Sequence, residues 1–327
     1  MSGQTAFTEA LGIEVPLICG AMYPCSNPEL VAAASEAGAI GIVQPLSLSY
    51  VHGHDFRAGL RYIRSLTGKP VGVNLIIERS SKKYLASARE WLAVSLEEGI
   101  PFLVTALGKP DWVVEQAHAA GVTVYHDVTN RMHAEKALDA GVDGFICVNN
   151  RAGGHAGELS ALQLLDEIGP LGKPLVCAGG IGMPDDFAAA IQAGYAGVQM
   201  GTRFIATDEC SAHTDYKQAI IAAAADDIVL SDKITGVPVS IIQTPFIRRM
   251  GTRAGSLAKW LLRGRRTRHW MRTFYSLQSI WKLKRSAQRG MSYRDIYQAG
   301  KSVDGIHAIL PVAAVVQAFA AALQESK

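Results

Sequence analysis

One stretch of this chain joins a titratable ring to unusual backbone freedom: Asn149-Asn150-Arg151-Ala152-Gly153-Gly154-His155-Ala156-Gly157-Glu158. Glycines bracket the imidazole, so the backbone can approach a ligand closely while one side chain that titrates near neutrality points at it. The plain reading of such a residue is a loop histidine. Its neighbours raise it above that. The apolar run Gly144-Phe145-Ile146-Cys147-Val148 precedes it, and a segment with helical spacing, Leu159 to Ile168, follows. A short apolar run ended by Asn reads as a buried strand opening into a loop. His155 then sits at a strand exit, where an imidazole can serve as general base or general acid.

Two later stretches supply a different chemistry. Ala178-Gly179-Gly180-Ile181-Gly182 and Gln199-Met200-Gly201-Thr202-Arg203 each place glycines directly after an apolar run. Backbone N–H groups in such turns, backed by a helix start, form an anion cradle, although the same glycines also permit a tight turn and nothing more.

The elements that must position these groups repeat along the chain. Strands are expected at 16–20, 40–44, 71–75, 102–105, 123–126, 144–148, 175–178 and 197–200, each followed by a helical segment. Many of these segments stop at Gly, as at Gly38, Gly99, Gly121, Gly141 and Gly194, where a left-handed residue can close a helix. Continuous Val, Ile and Leu runs indicate parallel strands buried on both faces. Eight βα units imply an α/β fold, a closed (β/α)8 TIM barrel, with an open doubly wound sheet as the alternative. Barrel ligands sit at the C-terminal strand ends, and phosphate commonly lies after strands seven and eight. The ends gathered here are Ala21-Met22, Gln44-Pro45, Asn74, Thr105, His126-Asp127, the His155 loop, Gly179-Gly180 and Gly201-Thr202.

The remaining composition narrows the class. The chain has 327 residues, 49% hydrophobic and 19% charged, enough for a large core. No uncharged apolar run reaches the length of a membrane span, and residues 1–14 lack the pattern of a secretory signal, so a soluble cytoplasmic protein is expected. Five cysteines without a CxxC spacing read as buried small hydrophobes. Residues 248–294 hold fourteen Lys or Arg and no acidic residue, interleaved with Trp260, Trp270, Phe274, Tyr275 and Trp281. Such a mixture suits a membrane surface, an acidic carrier protein or nucleic acid. The expectation is a basic helical cap at 246–300 following a barrel at 1–245, with a terminal helix at 301–327 packing back on the barrel. Nucleic acid is not expected as a partner. Carrier-protein or membrane-surface contact through 248–294, and homodimerisation, stay open.

The motifs together resemble a known family. Gly72-Val73-Asn74, Ala152-Gly153-Gly154-His155-Ala156-Gly157, Ala178-Gly179-Gly180-Ile181 and Gln199-Met200-Gly201-Thr202-Arg203-Phe204 are similar to those of the FMN-dependent nitronate monooxygenases, relatives of the flavin-type enoyl-ACP reductases. The resemblance spans about residues 5–245. It implies FMN as cofactor, with Ala21, Met22, Asn74, His126, Asn149, Gly153, Gly154, Gly179, Gly180, Gln199, Met200, Gly201 and Thr202 around it. It also implies His155 as catalytic base. The activity implied is oxidative denitrification of alkyl nitronates with O2. The alternative is an NAD(P)H-dependent flavin reductase of enoyl thioesters or quinones. The chain departs from the pattern at Val148-Asn149, where many members carry Gln-Gly, and at Asp127, where some relatives carry Lys.

Overall fold

The computed structural model describes residues 4–78, 82–233, 238–252 and 296–325. Its centre is a closed barrel of eight parallel strands: β1 (Leu17–Cys19), β2 (Ile40–Val43), β3 (Val71–Ile76), β4 (Phe102–Ala106), β5 (Thr123–Val128), β6 (Gly144–Val148), β7 (Leu175–Ala178) and β8 (Gly197–Met200). Pairing of β1 with β8, Ile18 opposite Gln199, closes the ring and rules out the open sheet. All eight expected strands are present.

Helices separate the strands: α1 (Ala6–Leu11), α2 (Pro28–Glu36), α3 (Phe56–Leu66), α4 (Lys82–Glu97), α5 (Asp111–Ala119), α6 (Arg131–Leu138), α7 (Ala161–Ile168), α8 (Pro184–Ala193) and the short α9 (Thr202–Ile205). The glycines read as helix stops behave as such: Gly38, Gly99, Gly121, Gly141 and Gly194 all have positive φ, which a Cβ would penalise. After β2, where no glycine is available, the chain leaves through a five-residue π-helical turn, Ser47–Val51; the Gln44 side chain accepts from Ser47 N–H at 2.8 Å just ahead of it.

Strand alternation divides the apolar residues into two sets. One fills the barrel: Ile18, Ile40, Ile42, Phe102, Val104, Tyr125, Ile146, Val176 and Ala178, closed below by Phe7 of α1. The other lies between strands and helices. Downstream come α10 (Thr214–Ala222), an antiparallel hairpin of β9 (Ile228–Ser231) and β10 (Val239–Ile242), α11 (Pro245–Met250) and the terminal α12 (Val312–Glu325). The hairpin is absent from the sequence reading. The last helix packs on the barrel shell, with Phe319 against Phe187 of α8 at 5.7 Å between ring centroids. Most of the basic cap, residues 253–295, lies outside the described residues. Among the described residues, no helix is long and apolar enough to cross a membrane.

Candidate active site at the barrel mouth

The same alternation decides which strand-end side chains reach the mouth. A Cβ on Gly72 would touch Ile42 and Phe102, both interior, so Asn74, two residues on, also faces inward. A Cβ on Gly197 would meet Phe7 at 2.9 Å, which puts Gln199 on the interior face as well; its Cγ lies 3.0 Å from the Cβ position of Gly20. On β5 the interior residue is Tyr125, so Asp127 shares its face. Asn74, Asp127 and Gln199 thus form a polar layer above the apolar filling.

His126 is not brought to this mouth. Val124 and Val128 belong to the outer cluster, and His126 lies on their side of the strand. Its Nδ1 is 2.8 Å from the Thr105 hydroxyl. Burial, and secondarily the nearby His133 of α6, push its pKa down to about 4. Met200 likewise points outward beside Val198, and its carbonyl accepts from Gly20 N–H at 2.9 Å. Ala21 and Met22 do border the mouth: the Met22 side chain lies 3.4 Å from where Gly201 would carry a Cβ.

Asn149 is the hub of the His155 loop. Its Nδ2 donates to the Gly179 carbonyl at 2.9 Å, and its Oδ1 accepts from Arg151 N–H at 2.8 Å. Its backbone carbonyl accepts from Ala152 and Gly157 N–H groups at 3.2 and 3.3 Å. The side chain is buried and committed to the protein. Replacing it with alanine would strand buried polar groups at about 1–3 kcal/mol.

Glycines let the exits of β6, β7 and β8 converge. Gly179 and Gly180 have φ of +115° and +80°; a Cβ on Gly179 would sit 2.6 Å from Ala152 N, and one on Gly180 would strike the Arg151 side chain. A Cβ on Gly153 would be 3.0 Å from Gly300 N and 3.5 Å from Thr202 Oγ1. Thr202 Oγ1 accepts from Gly300 N–H at 3.0 Å, and no side chain caps the start of α9 at Gly201. Backbone therefore lines this corner, as a phosphate-bearing ligand requires.

A second tier braces the loop from outside. Ser240 N–H of β10 donates to the Gly154 carbonyl at 2.8 Å, and Ile242 N–H donates to Tyr297 at 2.8 Å. Lys301 N–H donates to the Arg151 carbonyl at 2.9 Å. Tyr297 stacks on Tyr216, and Tyr216 O–H donates to the Gln298 carbonyl. Residues 296–300, grouped with the basic cap in the sequence, are thus built into the site. No local feature of the sequence marks Gly300 as part of the site; it joins through contacts with Thr202 and the Gly153 loop.

His155 itself has no hydrogen-bond partner among the described residues. Several other described histidines are bonded: His118 to Asp143 at 3.0 Å, His126 to Thr105 at 2.8 Å and His133 to Thr129 at 3.0 Å. The residue keeps accessible surface, yet burial pushes its pKa below the ordinary value. Among the described residues, nothing bonds to either ring nitrogen.

A family model described as nitronate monooxygenase matches residues 4–321. The chain belongs to the nitronate monooxygenase family. A probable nitronate monooxygenase of Staphylococcus saprophyticus is 30% identical over 293 residues, covering 76% of this chain and 81% of that protein. A (3aS,4S,5R,7aS)-5-hydroxy-7a-methyl-1-oxo-octahydro-1H-indene-4-carboxyl-CoA dehydrogenase of Rhodococcus jostii is 29% identical, covering 76% of this chain and 68% of that protein. The solved structure of FabK from Thermotoga maritima superposes with a TM-score of 0.82 at 28% identity, covering 99% and 97% of the two chains. As a member of the nitronate monooxygenase family the chain is a flavin-dependent oxidoreductase. The site suits such a cofactor: a corner built largely of glycine backbone for phosphate, an uncharged polar pair in Asn74 and Gln199, and a buried carboxyl oxygen on Asp127 without a partner among the described residues.

Proposed function

We propose that this nitronate monooxygenase family member uses FMN to convert alkyl nitronates and O2 into carbonyl compounds and nitrite, with His155 as its proton-handling residue. The observation that carries this reading is the imidazole of His155, bonded to no described residue and carried on a glycine loop beside the glycine turns after β7 and β8, in a chain matched by the family model from residue 4 to 321. The backbone of Gly153, Gly154, Gly179, Gly180, Gly201 and Thr202 would hold the phosphate. Ala21, Met22, Asn74 and Gln199 would border the ring. When bound, the flavin supplies the electron exchange.

The protein residues supply the rest. His155, with its pKa below the ordinary imidazole value, is neutral at pH 7 and accepts a proton on a ring nitrogen. From a neutral nitroalkane that proton comes from the carbon bearing the nitro group. The resulting imidazolium then holds the anionic nitronate oxygens by a charge-assisted hydrogen bond. Asn149 fixes the loop so that the ring returns to one place.

A second reading is favoured by one observation, the Rhodococcus jostii relative named as a CoA-thioester dehydrogenase. On that reading the chain is an NAD(P)H-dependent flavin enzyme of enoyl thioesters or quinones, and the basic stretch at 248–294 meets the acidic carrier. Anaerobic mixing of the purified holoprotein with an alkyl nitronate, NADH, NADPH or an enoyl-CoA separates the two. Bleaching of the flavin absorbance by nitronate alone supports the monooxygenase. Bleaching by NADPH or NADH, with reoxidation by the enoyl thioester, replaces it with the second reading.

A further inference from the structure

The polar layer at the mouth contains one group that neither the family resemblance nor the fold accounts for. Asp127 projects from β5 into the barrel one layer above Tyr125. Its Oδ1 is buried and has no hydrogen-bond partner among the described residues. The residue as a whole is half-buried and shares the interior face of β5 with Tyr125, at the C-terminal end of the strand.

An unpaired buried carboxylate is among the costlier things a fold can hold. Structures resolve it by a cation, by donors to both oxygens, or by keeping the proton on. No cation is found near Asp127 among the described residues, and burial alone raises its pKa to about 7. The interior neighbours on β4 and β6, Val104 and Ile146, are apolar, and across the barrel stand Asn74 and Gln199, which do not ionise. The titratable groups on adjoining elements are Cys147 of β6, His126 of β5 itself, His133 of α6 and His155 of the loop. Of these, Cys147 registers the negative charge of Asp127, which raises its thiol pKa further, and none acts as a countercharge. His126 is turned to the other face.

We propose that Asp127 is a cofactor-binding residue of this chain, holding its proton and donating a hydrogen bond to an acceptor atom of the flavin ring lying across the strand ends. The inference rests on the flavin reading of the site and adds to it a donor that the sequence pattern does not supply. A carboxyl kept neutral near pH 7 donates a strong hydrogen bond, whereas its ionised form repels an electron-rich ring edge. Cofactor affinity therefore becomes proton-dependent. His155, on the loop after β6, is shifted in the opposite sense, towards the neutral base.

The test is FMN affinity against pH, by equilibrium dialysis of the full chain from about pH 6 to about pH 9. Wild type, Asp127→Asn and Asp127→Leu are compared. The asparagine amide keeps a donor without a titrating proton, so it retains affinity and loses the pH dependence specific to Asp127. Wild-type affinity is expected to fall relative to Asp127→Asn by up to about tenfold per pH unit above neutrality. Asp127→Leu is expected to bind about tenfold weaker than Asp127→Asn at every pH, the loss of one good hydrogen bond. Taking the ratio of variants cancels titration of FMN itself. Superimposable wild-type and asparagine profiles overturn the assignment while leaving the flavin reading intact. A pH dependence confined to the Michaelis constant of the substrate also overturns it. A chain that binds FMN at no pH instead sinks the flavin reading.

Discussion

The two ends of the barrel are built from the same eight strands and differ in almost every other respect. At the lower end Phe7, Phe102 and Tyr125 meet edge-on or tilted, with centroids 5.3 to 5.8 Å apart, and every ring is buried. At the upper end the interior positions are Asn74, Asp127 and Gln199, and glycines replace side chains wherever loops converge. One end is packed to hold shape; the other keeps polar groups and space that packing would remove. That division of labour, a stabilising lower face and a reactive upper face, is what the barrel topology offers, and here it is written in the strand alternation itself.

The comparison breaks hardest at the lower end. Phe102→Ala removes the partner of both other rings and should cost about 3–5 kcal/mol. The drop would show in the urea midpoint of the holoprotein. Retention of the wild-type midpoint would mean that the aromatic cluster does not hold the barrel shut. Mutation at the mouth should invert the pattern. His155→Ala is expected to lower turnover about 10²–10⁴-fold while leaving the urea midpoint unchanged, since the ring bonds to no described residue. Full turnover in that variant would remove His155 from the mechanism, and a large loss of stability would show that it is a packing residue after all.

Much of this was legible beforehand because it depends on periodicity and on glycine. Eight apolar runs and their Gly stops follow from local rules, and all eight became strands of one ring. The Gly-Gly-His loop and the turns after β7 and β8 were visible as motifs. What the sequence could not show was direction. His126 and Asp127 are adjacent, both polar and both at a strand end; only a register fixed by Tyr125 and the closed ring says that one faces helices and the other the mouth. Nor could spacing reveal that Gly300 would donate to Thr202, nearly a hundred residues away in the chain. Long-range convergence of loops carries no local signature.

Asp127 allows the comparison to be sharpened through stability. Its folded pKa of about 7 lies above the unfolded value, so the folded state binds more protons between about pH 4 and pH 7. The sign follows: stability is lost as pH rises through that window, and the cost persists above it. Asp127→Asn should therefore be more stable than wild type at pH 8 by an amount on the order of 1–3 kcal/mol, and nearly equal to it at about pH 4. Thermal or urea unfolding of the cofactor-free protein across that range measures it. A gain at the mouth on removing a charge, opposite to the loss at the aromatic end, is what a site that trades stability for chemistry would show.

The smallest effect is expected at His126, and it tests the facing of neighbouring residues directly. His126 is buried with its pKa pushed down to about 4, so the folded state resists its protonation. Its contribution to instability is absent above the unfolded value of about 6.5 and grows as pH falls towards 4. His126→Gln keeps a partner for Thr105 and removes the ionisation. The variant should match wild type in FMN affinity and turnover at neutral pH and unfold about half a pH unit to one unit lower in an acid titration. If instead it loses FMN at neutral pH, then His126 reaches the cofactor and the outward face assigned to it is wrong. Because Asp127 next door is expected to move cofactor affinity and not acid tolerance, the two variants form a pair: adjacent residues on one strand whose effects separate cleanly, one at the mouth and one in the shell.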